Sequence, residues 1–378
     1  MAASSRPTFS AIDHAMMVRA LRLAERGLTT TLPNPRVGCV IAHGEGIVGE
    51  GWHQRAGEPH AEVFALREAA ERARGATAYV TLEPCAHFGR TPPCADALVE
   101  AGIARVVAAC EDPNPKTAGS GLRRLREAGI AVESGLLDEA ARELNRGFFS
   151  RFESARPWVR VKLAMSLDGR TALSDGESKW ITGDAARADV QRWRARSSVI
   201  LTGAGTARAD NPRLTVRLPG GVAFVPPLRV ILDARLDALH AEANLLDGSA
   251  PTLVLHAPDA APRDERYAHA ELVAVPVTAK ESRLDLAAIS SVLAQREVNE
   301  LQVEAGPVLC GALFAQGLVD ELLLYVAPVL LGDTARPLLN LPALTDMQAR
   351  WRLRVVDQRQ VGEDWRLLLR AASYCDHP

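Results

Sequence analysis

Three residues with the chemistry of soft-metal ligands punctuate the first third of the chain: His60, Cys85 and Cys94. A neutral imidazole and two thiolates suit zinc, and three protein ligands leave the fourth tetrahedral position open for water. Zinc lowers the pKa of such a water toward ~7, so hydroxide becomes available at neutral pH. Glu62 lies two residues after His60, near a predicted helix start, where it can reach that water without being a ligand. A carboxylate there can take the water proton and return it to a leaving amine. Each cysteine follows a proline, Pro84 or Pro93, at a predicted helix start where the macrodipole favours thiolate.

Taken singly, these features are weak. A His-x-Glu is commonly a solvated helix start, and two loop cysteines alone fit a structural zinc pair. In this order, on an α/β pattern, they match the zinc-deaminase signature. One departure is informative: that signature ends in P-C-x-x-C, whereas eight residues separate Cys85 from Cys94.

The elements that must position these groups alternate in type. Asp13 is expected to cap a helix through MMVRALRLAER, closed by Gly27. Strands RVGCVIA and IVGEGW flank a Gly44–Gly46 hairpin signal, and HAEVFALREAAERAR reads as a second helix. Strand AYVTL, the cysteine loop, helix ADALVEAG, strand ARVVAAC, loop EDPNPKTAGSG, helix LRRLREAG and strand IAVES follow. That order predicts an α/β/α layered domain over residues 1–155.

From PWVRVKLAMSLDGR onward a second α/β pattern occupies 156–378. Its predicted strands are WVRVKLAMS, SVILTG, LRVILDA, PTLVLHA, LQVEAG and ELLLYVAPVLLG, alternating with helices such as AARADVQRWRAR and VLCGALFAQGL. The Gly203–Thr206 turn and the Gly306–Gly311 segment could each cradle a phosphate with backbone N–H groups. Neither is a G-x-G-x-x-G fingerprint, which disfavours a Rossmann domain.

Composition limits the alternatives. The 378 residues are 47% hydrophobic and 24% charged, and Lys+Arg 44 against Asp+Glu 46 leaves a net charge of -2. No nucleic-acid partner is expected, because neutralising a phosphate backbone normally needs a positive excess. The longest apolar run, Leu322–Leu331, is too short for a bilayer and contains Pro328, so no membrane partner is expected either. The N-terminus has no apolar signal-peptide core, and a cytoplasmic protein is expected. Cys39, Cys110, Cys310 and Cys375 read as small hydrophobes. A homo-oligomer is expected, with ELLLYVAPVLLG serving as core or interface.

The segments PNPRVG, GWHQRAGEPHAE, TLEPCAHFGRTPPC and EDPNP closely resemble the bifunctional riboflavin-biosynthesis deaminase–reductases, including the long cysteine spacing. KLAMSLDGRTA, GESKWITG, LTGAGTARADNPRLTVR and VEAGPVLCGAL extend the resemblance through the second half, most weakly at about residues 218–228 and 240–300. The resemblance implies a cytidine-deaminase-like first domain holding Zn2+ on His60, Cys85 and Cys94, with Glu62 as proton shuttle. Its substrate would be a phosphorylated pyrimidine, 2,5-diamino-6-ribosylamino-4(3H)-pyrimidinone 5′-phosphate, losing its C2 amine as ammonia. Asn34, His53, His87, Asp112 and Asn114 resemble the substrate contacts, although turn chemistry beside proline would equally explain Asn34, Asp112 and Asn114.

For the second domain the resemblance implies a dihydrofolate-reductase-like α/β fold that binds NADPH and delivers hydride to C1 of the sugar. Ala164, Trp180, Thr206, Asp210 and the run Gly306, Pro307, Val308, Leu309, Cys310, Gly311 and Ala312 resemble the cofactor contacts. Lys162, Ser178, Arg194, Leu214, Arg217 and Glu304 resemble the substrate contacts. Arg194 and Arg217 could hold a 5′-phosphate by forked hydrogen bonds, while Arg187, Arg192, Arg194 and Arg196 on one helix could instead form a solvated face. The alternative reading is a zinc nucleobase deaminase whose C-terminal half only binds or assembles. It calls for stacking aromatics, which are 5% here, and a basic channel.

Overall fold

The computed structural model describes residues 8–86, 93–262, 264–278 and 283–371, and the chain divides into compact units 1–155 and 156–378. The elements of the first are α1 (Ala11–Glu25), β1 (Gly38–His43), β2 (Gly46–Trp52), α2 (Ala61–Ala69), β3 (Thr77–Val80) and α3 (Cys94–Glu100). Then come β4 (Arg105–Ala108), α4 (Ser120–Glu127), β5 (Ala131–Ser134), α5 (Asp138–Leu144) and α6 (Arg146–Glu153). Five strands run in the order β2-β1-β3-β4-β5, with β3, β4 and β5 parallel and β1 antiparallel to both neighbours.

Strand alternation divides the apolar residues between two layers. Cys39, Ile41, Val80 and Val106 pack with α2, α3 and α4, while Val40, Ala42, Tyr79 and Val107 pack with α1, α5 and α6. Gly51 lets α2 lie directly on the sheet, since a Cβ there would stand 2.2 Å from the Ala61 carbonyl oxygen. The start of α2 is thereby set at a fixed height over β2.

Two local expectations are corrected. The α1 N-cap is Ser10, and Asp13 is its capping-box partner, accepting from Ser10 N–H at 2.9 Å. Helix α2 ends at Ala69, because Ala70 turns to φ +49° and a 3₁₀ turn (Ala70–Ala73) replaces the last predicted turns.

The second unit opens with β6 (Trp158–Ser166), β7 (Arg170–Ala172), α7 (Asp184–Ala195), β8 (Val199–Gly203), α8 (Ala204–Asp210), β9 (Leu228–Leu232), β10 (Thr252–His256) and β11 (Glu271–Ala274). It continues with α9 (Leu286–Gln295), β12 (Glu300–Val303), α10 (Pro307–Ala315), β13 (Glu321–Ala327), β14 (Arg336–Pro337), β15 (Leu353–Val361) and β16 (Asp364–Ala371). Nine strands run β11-β10-β9-β8-β12-β6-β13-β16-β15, parallel from β11 to β13 and antiparallel thereafter.

Val159, Val161, Leu163, Leu301 and Val303 face α9 and α10. The alternate residues Arg160, Lys162, Gln302 and Tyr325 therefore lie on the α7 face. At the amino ends of these strands Arg160 is sealed against Glu300 (2.8 Å) and Glu321 (2.7 Å) with no exposure, a buried pairing that leaves neither carboxylate alone in low dielectric. Lys162 lies midway along β6, and Glu304 follows the carboxyl end of β12. No helix among the described residues is long and apolar enough to cross a membrane.

The apolar run ELLLYVAPVLLG is a strand only to Ala327, since Pro328 ends the ladder. The β15–β16 hairpin was not predicted: every residue of β15 is exposed or half-buried, so it lacks a clean apolar alternation.

Candidate active sites

In the first unit the extended backbone of His60 serves as N-cap of α2, placing Glu62 in that helix's first turn. Cys94 is the first residue of α3, whereas Cys85 lies in the irregular segment before it and not at a helix start. Cys85 still receives the helix terminus, because Cys94 N–H points to its sulfur at 3.4 Å. His60 Nδ1 lies 3.3 Å from Cys94 Sγ and 3.6 Å from Cys85 Sγ, and the three ligand atoms all fall within 4.8 Å of one another.

Tetrahedral zinc, with bonds of about 2.0–2.1 Å to nitrogen and 2.3 Å to sulfur, sets such N···S edges at about 3.5 Å. The triangle fits the ion. Cys85 is held low by hydrogen bonding from Cys94 and then by His60, favouring the thiolate a ligand must be. Glu62 is buried, and its Oε2 has no hydrogen-bond partner among the described residues. Burial pushes its carboxyl up to about 7, opposed by His60 and reinforced by Cys85.

Asn34 and His53 come together near this triangle. His53 Nδ1 lies 3.1 Å from the Pro59 carbonyl, so it carries the proton, and Nε2 accepts from Asn34 Nδ2 at 3.1 Å. The buried His53 ring meets the His60 ring edge-on at 5.4 Å. Burial lowers its pKa, which suits this neutral tautomer. Asp112 and Asn114 make consecutive Asx turns, accepting from Asn114 N–H (2.8 Å) and Lys116 N–H (3.1 Å). His87 lies outside the described residues.

In the second unit the carboxyl ends of adjacent parallel strands β8 and β12 each pass through glycine into a helix. The N-caps of α8 (Gly203) and α10 (Gly306) carry no side-chain hydrogen bond. A Cβ at Gly205 would meet nothing within 4 Å, and one at Gly306 would meet only Thr206 Oγ1, at 3.8 Å. Open glycine backbone with unspent helix N–H groups is what a dinucleotide phosphate needs, so these residues fit NADPH.

Among the other predicted cofactor residues, Thr206 and Ala164 are half-buried, Asp210 is exposed, and Trp180 is exposed with the Arg187 guanidinium 4.6 Å above its ring. Within 306–312 the helical turn separates roles. Pro307, Val308, Leu309 and Ala312 retain exposure, while the Cys310 thiol is turned into the core and bonds the Ala305 carbonyl. Gly311 seats against Asn340, where a Cβ would stand 2.1 Å from its carbonyl oxygen. The side-chain positions of Cys310 and Gly311 are thus structural.

Arg194 differs from both sequence readings. It is buried, and its fork is filled by Glu304 at 2.7 Å through both Nε and Nη2, while Nη1 donates to the Thr215 carbonyl at 2.9 Å. It is neither a solvated arginine nor an open phosphate fork. Burial raises the Glu304 carboxyl, but Arg194, Lys162 and the Gln302 hydrogen bond (2.8 Å) outweigh that and hold it at about 2.

The Lys162 ammonium lies 5.9 Å over the Tyr325 ring, and burial lowers its pKa. Arg217 is exposed, its pKa lowered by partial burial and by Arg194 and Arg213, a cluster an anion would relieve. Ser178 is half-buried. Leu214 is buried at φ +48° in the segment tied down by Arg194, an unusual conformation for a bulky residue. Gln302 and Tyr325 were missed by sequence reasoning. The V-R-V-K and E-L-Q-V-E alternations in β6 and β12 were the available signal.

Fold and site together define a two-unit enzyme: a cytidine-deaminase-type zinc site in one unit and a nucleotide-binding α/β reductase sheet in the other. The model for the cytidine and deoxycytidylate deaminase zinc-binding region matches residues 10–110, and that for the RibD C-terminal domain matches 157–367. The riboflavin biosynthesis protein RibD of Escherichia coli is 47% identical, covering 93% of this chain and 97% of that protein. RibD of Haemophilus influenzae is likewise 47% identical, over 95% and 97%. The structure of Acinetobacter baumannii RibD, form 1, superposes with a TM-score of 0.88 at 44% identity, covering 96% of this chain and 99% of that one. The chain belongs to the RibD family of riboflavin biosynthesis. It is a bifunctional enzyme that joins a zinc-dependent deaminase to an NADPH-dependent, dihydrofolate-reductase-like reductase.

Proposed function

We propose that unit 1–155 deaminates 2,5-diamino-6-ribosylamino-4(3H)-pyrimidinone 5′-phosphate at C2 and that unit 156–378 reduces the resulting ribosylamino-uracil phosphate to its ribityl form. The observation that carries the first step is the His60–Cys85–Cys94 triangle beside a buried Glu62 whose Oε2 has no hydrogen-bond partner among the described residues. His60, Cys85 and Cys94 would hold zinc, which when bound supplies Lewis-acid activation of water. Glu62 takes the proton of that water and delivers it to the departing C2 amine, so water and substrate give the C2 carbonyl and ammonia. Asn34, oriented by His53, and the Asp112–Asn114 loop bind the heterocycle. His87 keeps its expected substrate role on the resemblance alone.

In the reductase, Thr206, Asp210, Ala164, Trp180 and the backbone of 306–309 hold NADPH, which when bound supplies hydride for C1 of the sugar. Lys162 holds a proton midway along β6, and Glu304, fixed by Arg194 and Gln302, binds sugar hydroxyls. Arg217 meets the 5′-phosphate, with Ser178 and Leu214 beside it. The intact Lys162–Glu304–Arg194 cluster argues against a C-terminal half that only binds or assembles.

The test follows ammonia and NADPH separately on zinc-loaded protein given this substrate. Both products are expected, with NADPH oxidation delayed until ammonia appears and ammonia lost on chelation. Oxidation without prior deamination would overturn the order. Ammonia without oxidation would favour a non-catalytic second unit.

The assembly is a homo-oligomer in this reading. Edge strand β15 exposes Leu353, Val355 and Val356, with Trp351 and Trp365 exposed near it, an apolar edge of the kind proteins cover. Val355→Lys with Val356→Lys should lower the sedimenting mass to that of one chain; an unchanged mass would place the interface elsewhere. The ligands are small molecules, with no nucleic acid or membrane partner. A reducing cytoplasmic location suits the unpaired thiols of Cys39, Cys85, Cys94, Cys110 and Cys310.

A further inference from the structure

We infer that Glu83 is a positioning residue of the deaminase site, locking the Asp112–Asn114 loop and the start of α4 to the segment after β3 that carries Cys85. Its buried carboxylate accepts four backbone hydrogen bonds. Oε2 takes Asp112 N–H at 3.1 Å and Gly119 N–H at 2.9 Å, and Oε1 takes Gly121 N–H at 2.8 Å and Leu122 N–H at 3.3 Å. A carboxylate has about four lone-pair sites, so these bonds fill it and leave it no capacity for metal or substrate. Its action therefore runs through the backbone it holds.

Two of the donors belong to the first turn of α4, whose N-cap, Gly119, has no side chain to satisfy them. Glu83 does that from the irregular segment after β3, and the same oxygens fix where Asp112 begins its turn. The next residue reinforces the clamp: a Cβ on Gly121 would stand 1.8 Å from the Pro84 carbonyl oxygen, so helix and metal loop are in direct backbone contact. Cys85 and the loop bearing Asp112 and Asn114 are thus registered through a single anchor. An amide cannot replace it, because its NH₂ would face N–H donors.

The inference rests on the reading that this loop contacts the pyrimidine. In the full-length zinc-loaded enzyme, Glu83→Gln should lower deaminase kcat/KM roughly 10- to 100-fold, mostly through KM, as expected for a misplaced binding loop. Zinc content and NADPH oxidation with deaminated substrate should stay at wild-type values. Unchanged deaminase kinetics, or loss of zinc with loss of activity, would overturn the role. If Glu83→Gln does not give soluble protein, Glu83→Asp carries the test: its shorter reach should raise KM with zinc retained, and a wild-type KM overturns the inference. Asp112→Ala run beside them separates the two ideas. A wild-type KM for Asp112→Ala refutes the substrate-loop reading, whereas a raised KM there with normal Glu83 variants refutes only the positioning role.

Discussion

Glu62→Gln should depress ammonia release by roughly 10²- to 10⁴-fold while bound zinc and NADPH oxidation of the deaminated substrate stay at wild-type levels. The size of the effect follows from the one property the substitution removes. Glutamine keeps the shape of Glu62 in its buried site but cannot carry a proton from water to the leaving amine. The metal triangle should survive, because His60, Cys85 and Cys94 are held close by one another and glutamine keeps a polar group where Glu62 meets Cys94. Reductase activity serves as the internal measure of an intact chain. Retained deamination would remove Glu62 from the proton path, and lost zinc would make it a support of the metal site instead.

The second large effect is expected at Glu304. Glu304→Gln strands a buried guanidinium, since Arg194 devotes both Nε and Nη2 to this carboxylate. Breaking one partner of a buried pair costs about 3–5 kcal/mol, so the urea midpoint of the unit should fall and reduction should fail, with ammonia release retained. The pH dependence has a defined sign. The carboxyl is held at about 2 against an ordinary 4.5, so its contribution is complete above about 4.5 and disappears as pH falls toward 2. Wild-type stability should therefore drop more steeply across that acid window than that of Glu304→Gln. Parallel pH profiles would show that the ion pair adds nothing to folding.

Much of this molecule was legible before its fold was known, and the reason is chemical. His60, Glu62, Cys85 and Cys94 are rare types at informative spacing, and a zinc deaminase site can be read from types and order alone. Helices and strands followed where apolar periodicity was clean, as in β6, β8 and β13. Periodicity failed where burial did not drive it: β15 is exposed or half-buried along its length, so its sequence shows no clean apolar alternation.

Tertiary structure decided how polar groups spend their hydrogen bonds, which spacing cannot express. Arg194 reads as a phosphate fork or a solvated helix face, but a strand 110 residues away in sequence brings Glu304 to it and uses the fork. Cys310 sits inside a phosphate-loop candidate, yet the turn of α10 sends its thiol into the core. Glu83 passes for one residue of a zinc motif until the sheet brings four N–H groups from residues 112–122 onto its carboxylate. The sequence by itself determined which atoms can bind metal and move protons. Only the packed chain determined which charges are already paired and which remain for substrate, because pairing depends on contacts between residues far apart along it.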